Sequence, residues 1–295
     1  MIDTPHLDLT ATVFDNRHCE LGEGAFWHPL REQFFWFDIL GHRLLTRDAD
    51  EAREWRFDRA VSAAGWIDRD SLLIAGAGAL LRFELEIGCI ETLAQLDDGN
   101  GRLRSNDGRT DPWGGFWIST MGYHAEPRCG AIWRYWRGEM RQLFGGLTIP
   151  NAICFAPDGG HAIFTDTAGG IVFRQRLSSA DGWPSGEAKP FLDLRAEGLH
   201  PDGAVIDTDG RLWLAQWGAG RVAVYDRQGQ FEGAVRVAAP YVSCPSLGGV
   251  DLSVLFVTSA LEGMEAEARI AAPEAGMTFH CPVGCRGQAE HRFKL

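Results

Sequence analysis

The chain has 295 residues, 45% of them hydrophobic, and a formal net charge of −12 with no basic block anywhere. That is enough apolar material for a large core, and the acid excess argues against nucleic acid or an anionic membrane as partner. MIDTPHLDLT has no apolar run, no stretch approaches a membrane span, and the seven cysteines are widely spaced without a Cys-x-x-Cys pair, so a cytoplasmic chain without a disulfide framework is expected.

The first strand-like segment is LTATVFDNR, from Leu9. Units of one grammar follow. AFWHPLREQFFWFDILGHRLLTRD starts at Ala25, AAGWIDRDSLLIAGAGALLRFE at Ala63, and SNDGRTDPWGGFWISTMG at Ser105. PNAICFAPDGGHAIFTDTAGGIVFRQRL starts at Pro150, PDGAVIDTDGRLWLAQWGAGRVAVYD at Pro201, and PSLGGVDLSVLFVTSA at Pro245. In each, an apolar strand meets a turn such as DRDS, PDGG or DTDG. A second strand follows, then a small-residue turn and a third strand. These are hairpin signals.

The six starts lie about 38–51 residues apart, near the period of a four-stranded propeller blade. Gly and Pro throughout, without a sustained 3.6-residue period, exclude a helical reading. We expect one all-β domain over 1–295, a six-bladed β-propeller in which LTATVFDNR pairs with the closing segment AEHRFKL to seal the ring.

In such a ring the first strand of each unit lies innermost, so residues at its entrance converge on a central channel. The first unit contributes Glu23, the third Arg104, Asn106 and Asp107, the fourth Asn151 and the fifth Asp202. Taken singly, each has a local explanation. Asp202 sits in a Pro-Asp-Gly turn, Asn106 suits an Asx-turn, and Glu23 and Asn151 suit strand caps. Together, polar groups beside apolar runs at one channel mouth are costly to desolvate without a partner. A divalent cation suits them: Glu23 and Asp202 offset its charge and Asn151 adds a neutral oxygen. His200, just before Pro201, reads as turn packing. His280, Cys281 and Cys285 lack a second ligand pair at finger spacing, which argues against zinc. No Gly-x-Ser-x-Gly elbow, His-Glu-x-x-His pair or phosphate loop occurs, and GAGAL near Gly76 is a hairpin turn.

LGEGAFWHPLREQFFWFDI, RSNDGRTDPWGGFWISTMG, PNAICFAPDGGHAIFTDT and PDGAVIDTDGRLWLAQWGAGRVAVYD, in this order, resemble the SMP-30/gluconolactonase/regucalcin-like family. The tail GCRGQAEHRFKL resembles its bacterial sugar-lactonase branch. The resemblance implies a six-bladed propeller holding one divalent metal ion, Ca²⁺ ahead of Zn²⁺, Mn²⁺, Mg²⁺ or Fe²⁺. Glu23, Asn151 and Asp202 would be its ligands. Arg104 and Asn106 would bind a sugar lactone, Asp107 would bind a hydroxyl or orient Arg104, and Glu126 would reach sugar hydroxyls from a lid loop. Trp113 takes a lid-like position in this comparison, and Ala152 stands where many members have Gly.

The implied activity is metal-dependent hydrolysis of an aldonolactone such as glucono-, arabinono- or xylonolactone, with Asp202 the candidate general base. The competing readings are a phosphotriesterase-like metal hydrolase and a non-enzymatic calcium-binding propeller. The expected partner is a small sugar lactone, with no nucleic acid, membrane or protein partner evident.

Overall fold

A computed structural model describes residues 7–48, 51–96 and 101–295. Among them the strands form six sheets, each built on four antiparallel strands. The inner strands are Gly22–His28, Val61–Trp66, Leu103–Thr110, Pro150–Phe155, His200–Ile206 and Val242–Gly248. Each touches the next around the ring, and the last touches the first. All six unit starts read from the sequence therefore fall on or beside an inner strand, and the six-bladed β-propeller is the fold. The α-helix Ala266–Ala271 and the 3-10 turn Thr167–Gly169 are the helical elements among the described residues. No helix there is long and apolar enough to cross a membrane.

Sequence chemistry explains the radial order. Inner and second strands lie between neighbouring blades and are apolar on both faces, as in QFFWFD and SLLIAG. Outer strands such as Ala52–Arg56 alternate exposed and half-buried residues, because one face meets water. Trp36, Trp117 and Trp213 sit on second strands and are fully buried. The Asp-rich turns act locally. Asp68 Oδ1 accepts the Asp70 and Ser71 N–H groups, and Asp207 Oδ1 accepts those of Asp209 and Arg211.

Ring closure differs from the expectation in one half. The N-terminal strand Thr12–Asp15 does close the sixth blade, but its partner is Thr278–Pro282, with Val13 opposite Phe279. Leu7–Thr10 runs parallel to Phe231–Arg236 and widens the fifth blade. Across the seam Phe34 stacks on Phe256 at 4.5 Å, and Phe14 meets the same ring edge-on at 5.0 Å. Such pairs add about 0.5–1.5 kcal/mol each beyond burial.

The segment AEHRFKL is not a strand. It crosses the channel end opposite the inner-strand entrances. Gln288 Nε2 donates to the carbonyls of Phe155 and Ile206, Glu290 pairs with Arg109 at 2.6 Å, and Phe293 is buried among blades two and three. Anchored on blades two and three, with Gln288 just before it tied to blades four and five, the segment gains more than it would by pairing with one edge strand. Trp113 also departs from expectation. It lies in the turn after Leu103–Thr110, at the far end of that strand from Arg104, and its indole donates to Ser179 O. It is no lid over the entrances.

Candidate active site

Every inner strand slips register at the same level. The shifts fall between Glu23 and Phe26, Val61 and Ala63, Ser105 and Gly108, Asn151 and Cys154, Pro201 and Ala204, and Val242 and Pro245. A bulge turns side chains off the regular alternation, so each strand can present a polar group to the channel without inverting the rest of its packing. Blades two and six place only serines there. Ser62 Oγ donates to Ser105 Oγ, and Ser243 Oγ donates to Gly22 O. The other four blades carry Glu23, Asn106, Asn151 and Asp202.

The backbone shows what this geometry requires. Gly24 has φ +57°, and a Cβ there would lie 2.1 Å from Ser62 O. Ala152, next to Asn151, adopts φ +58° while fully buried. The Gly-to-Ala departure therefore keeps the left-handed conformation and accepts its strain.

Glu23, Arg104, Asn106, Asn151 and Asp202 line one cleft of about 700 Å³ at the channel mouth. Each is at most 5% exposed. A hydrogen-bond relay connects four of them, every donor pointing the same way. Arg104 Nη1 donates to Asn106 Oδ1 at 2.7 Å, Asn106 Nδ2 to Asn151 Oδ1 at 3.0 Å, and Asn151 Nδ2 to Asp202 Oδ1 at 2.6 Å. Thr167 Oγ1 accepts a second bond from Asn151 Nδ2 and donates to Pro201 O. Glu23 accepts only the Gly24 N–H.

Two residues expected at the substrate are elsewhere. Asp107 is buried, but its carboxylate accepts the Ile153 N–H at 2.6 Å and does not line the cleft, nor does it bond Arg104. Asn106 and Asp107 are consecutive strand residues whose side chains enter different surroundings, Asn106 the cleft and Asp107 the backbone of the neighbouring blade at Ile153. Glu126 is exposed and accepts the His124 N–H on a neighbouring groove with Arg102, Tyr123 and Cys129. Conversely, His200 lines the cleft and is exposed, not packed under the turn.

Tyr123, Thr167, Trp217 and Glu262 also line it. None of them sits at a first-strand entrance, yet antiparallel pairing points to them. Each lies at or just past the end of a second strand, and that end lies beside the first strand's beginning. Arg104 pairs with Met121 and Pro201 with Gln216.

The site has a surplus of negative charge. Glu23 and Asp202 are buried beside the guanidinium of Arg104, Asp107 is buried behind them with Arg109 as its nearby cation, and Glu262 is half-buried at the rim. Burial, then the charge of Asp107, pushes the Glu23 carboxyl up to about 8. Burial, then the charge of Glu23, holds Asp202 well above the usual range. Arg104 is lowered by its own burial and forms no ion pair among the described residues. Its Nε is buried without a partner. No group of three or more His, Cys, Asp or Glu side chains suited to a metal occurs among the described residues. The donor set here is instead two carboxylates and an amide. Two under-compensated carboxylates beside an amide oxygen fit a hard divalent cation.

Glu23 fixes the sign of a pH effect. Between its ordinary value of 4.5 and about 8, the folded metal-free chain keeps a proton that the unfolded chain has released. Its contribution to stability thus falls as pH rises through that window. Glu23→Gln is expected to gain in Tm on wild type from pH 5 to pH 8 when both are metal-free. Scanning calorimetry at several pH values checks this; a difference that stays constant or shrinks contradicts it.

A propeller whose channel mouth gathers buried carboxylates, amides and one guanidinium in a cleft of small-molecule size is of the ligand-binding class. The chain belongs to the SMP-30/Gluconolactonase/LRE-like family, which it matches over residues 21–261. It is 32% identical to the L-arabinolactonase of Azospirillum brasilense over 294 residues, covering 96% of this chain and 95% of the relative. It is 30% identical to a pentonolactonase of Haloferax volcanii, covering 96% and 98%. Among solved structures, a calcium-binding protein, regucalcin, from Agrobacterium tumefaciens superposes with a TM-score of 0.96 at 33% identity, covering 99% and 100%.

Proposed function

We propose that this protein is a sugar lactonase, an enzyme that opens an aldonolactone such as glucono-, arabinono- or xylonolactone to the aldonic acid. We assign Glu23, Asn151 and Asp202 as the residues that hold one divalent cation. The observation that carries the reading is the meeting of these three with Arg104 and Asn106 in one cleft, from four blades. The lactonases among the relatives supply the reaction class, and the calcium-binding structural neighbour makes Ca²⁺ the first ion to test.

The residues divide the work. When bound, the cation supplies Lewis-acid polarisation of the ester carbonyl and balances the buried carboxylates. Arg104 and Asn106 orient the ring together: Asn106, whose amide donates to Pro150 O and Asn151 Oδ1, accepts Arg104 Nη1 and holds the guanidinium in fixed geometry at little reorganisation cost. Water attacks the carbonyl carbon, and Asp202 takes its proton. The bond from carbonyl carbon to ring oxygen breaks, and the proton passes to that oxygen, leaving a hydroxy acid.

The test strips the protein with a chelator and adds back Ca²⁺, Zn²⁺, Mn²⁺, Mg²⁺ or Fe²⁺ singly. Acid release is followed from a panel of aldonolactones, with phosphotriesters as comparison. Restoration of lactone opening by at least one ion, above any phosphotriester turnover, is expected. Ion binding without turnover of any lactone would leave a calcium-binding propeller and end the proposal.

A further inference from the structure

Blade six, like blade two, offers a serine at its inner-strand entrance, yet it contributes Glu262 to the cleft. In a ring of six, blade six lies opposite blade three, which carries Arg104 and Asn106. Glu262 follows the second strand of its blade, Val254–Ser259, in the sequence LEGME. Its loop is anchored. The N–H groups of Leu261 and Glu262 both donate to Glu20 O, and Met264 N–H closes back on Leu261 O with its side chain buried. The nearby Glu20 carboxylate is taken up by Arg269 at 2.6 Å. The Glu262 carboxylate has neither a hydrogen bond nor an ion pair among the described residues, although it is only half exposed.

Arg104 shows the matching gap. Its hydrogen bonds use Nη1 alone, to Ser105 O and Asn106 Oδ1, and Nε is buried without a partner. Of all the charges acting on this guanidinium, that of Glu262 is the strongest, and still the two do not pair. An anchored acceptor and an unsaturated donor thus face each other across a cleft of small-molecule size. The chemistry that fills such a gap is an alcohol, which donates its proton to a carboxylate and accepts from a guanidinium with the same oxygen. A fully apolar ligand would leave both charges desolvated and unpaired.

We propose that Glu262 is a specificity-determining residue that accepts a hydrogen bond from a ring or side-chain hydroxyl of the substrate, bridged by that hydroxyl to Arg104. This rests on the lactonase reading and adds what it lacks, a reason for preferring polyhydroxylated lactones over plain ones. Glu262 is neither a metal ligand nor a base here, and its role is confined to binding.

The experiment compares wild type with Glu262→Gln and Glu262→Ala. KM and kcat are measured on an aldonolactone and on its monodeoxy analogues, and Ca²⁺ affinity by calorimetry. A hydrogen bond to a charged group corresponds to roughly a 10- to 100-fold effect on binding. KM on the full aldonolactone is expected to rise by about that factor in Glu262→Ala, with kcat and Ca²⁺ affinity within twofold. Glu262→Gln recovers part of the loss. One monodeoxy lactone is expected to give equal KM in wild type and Glu262→Ala, identifying the hydroxyl. Unchanged KM, or a joint loss of kcat and Ca²⁺ affinity, overturns the assignment while lactone turnover by wild type keeps the parent reading. A wild type that opens no lactone overturns both.

Discussion

Asp202→Asn is expected to remain folded and to open lactones about 10³-fold more slowly. Losing a positioned general base alone removes 10²–10⁴ in rate. The amide also removes one of the two negative charges proposed to hold the cation, so Ca²⁺ affinity is expected to fall with it. Stability moves the other way. Asp202 is buried beside Glu23, and both carboxyls are driven upward by burial and by neighbouring negative charge. A neutral amide relieves that repulsion and can still accept the Asn151 Nδ2–H that now meets Oδ1 at 2.6 Å. The metal-free variant should therefore melt at or above the wild-type temperature at pH 8. Initial rates on the aldonolactone panel, calcium calorimetry and thermal melts together check this. Turnover near wild type would remove Asp202 from the chemistry, and a collapse in Tm would make its loss merely structural.

The second large effect lies at the other end of the channel, just past the blade-three inner strand Leu103–Thr110. Asp111→Ala is expected to cost about 3–5 kcal/mol of stability, because breaking a buried pair strands the surviving charge. Asp111 and Arg134 are both 0% exposed and meet at 2.7 Å. Arg134 also donates from Nη1 to Asp181 O and lies between the Trp136 and Trp183 rings, at 4.7 and 4.5 Å. Asp111 in turn accepts the N–H groups of Trp113 and Gly115, so its loss frees a turn as well. A Tm drop of roughly 10 °C follows for a chain of this size. Adding Arg134→Met should recover part of it, since an apolar replacement of both partners leaves no orphaned charge. Per folded molecule, lactone opening should be unchanged, and a double variant less stable than Asp111→Ala alone would contradict the account.

The polar run RSNDGRTD is itself split between opposite ends of the channel, with Arg104 and Asn106 at the mouth and Arg109 and Asp111 at the far end, and the split explains what the sequence made legible. Strand length, Asp-Gly turns and their period are local properties, and they placed all six inner strands. The entrances of those strands were equally readable, which brought Glu23, Arg104, Asn106, Asn151 and Asp202 into one list before any geometry. The bulge was not readable. Within it Asn106 and Asp107 point into different surroundings, whereas adjacency in the sequence assigns both to the site. Arg109 and Asp111 depend on Glu290 and Arg134, partners 181 and 23 residues away. Contacts of that range leave no periodic trace. The same holds for AEHRFKL, whose partners lie on blades two and three, and for Glu262, whose relevance comes from the blade opposite.

The seam in blade six has a consequence for synthesis. Thr12–Asp15 leaves the ribosome long before Thr278–Pro282 exists to pair with it. At 5–20 residues per second the wait is roughly 15–50 s. During that interval the nascent protein is an open arc. The aromatic flank of its first blade, Phe34 with Phe14 beside it, waits in solvent for Phe256. Emerging polypeptide of this kind is a ready client for a chaperone that shields aromatic surface until the circle shuts.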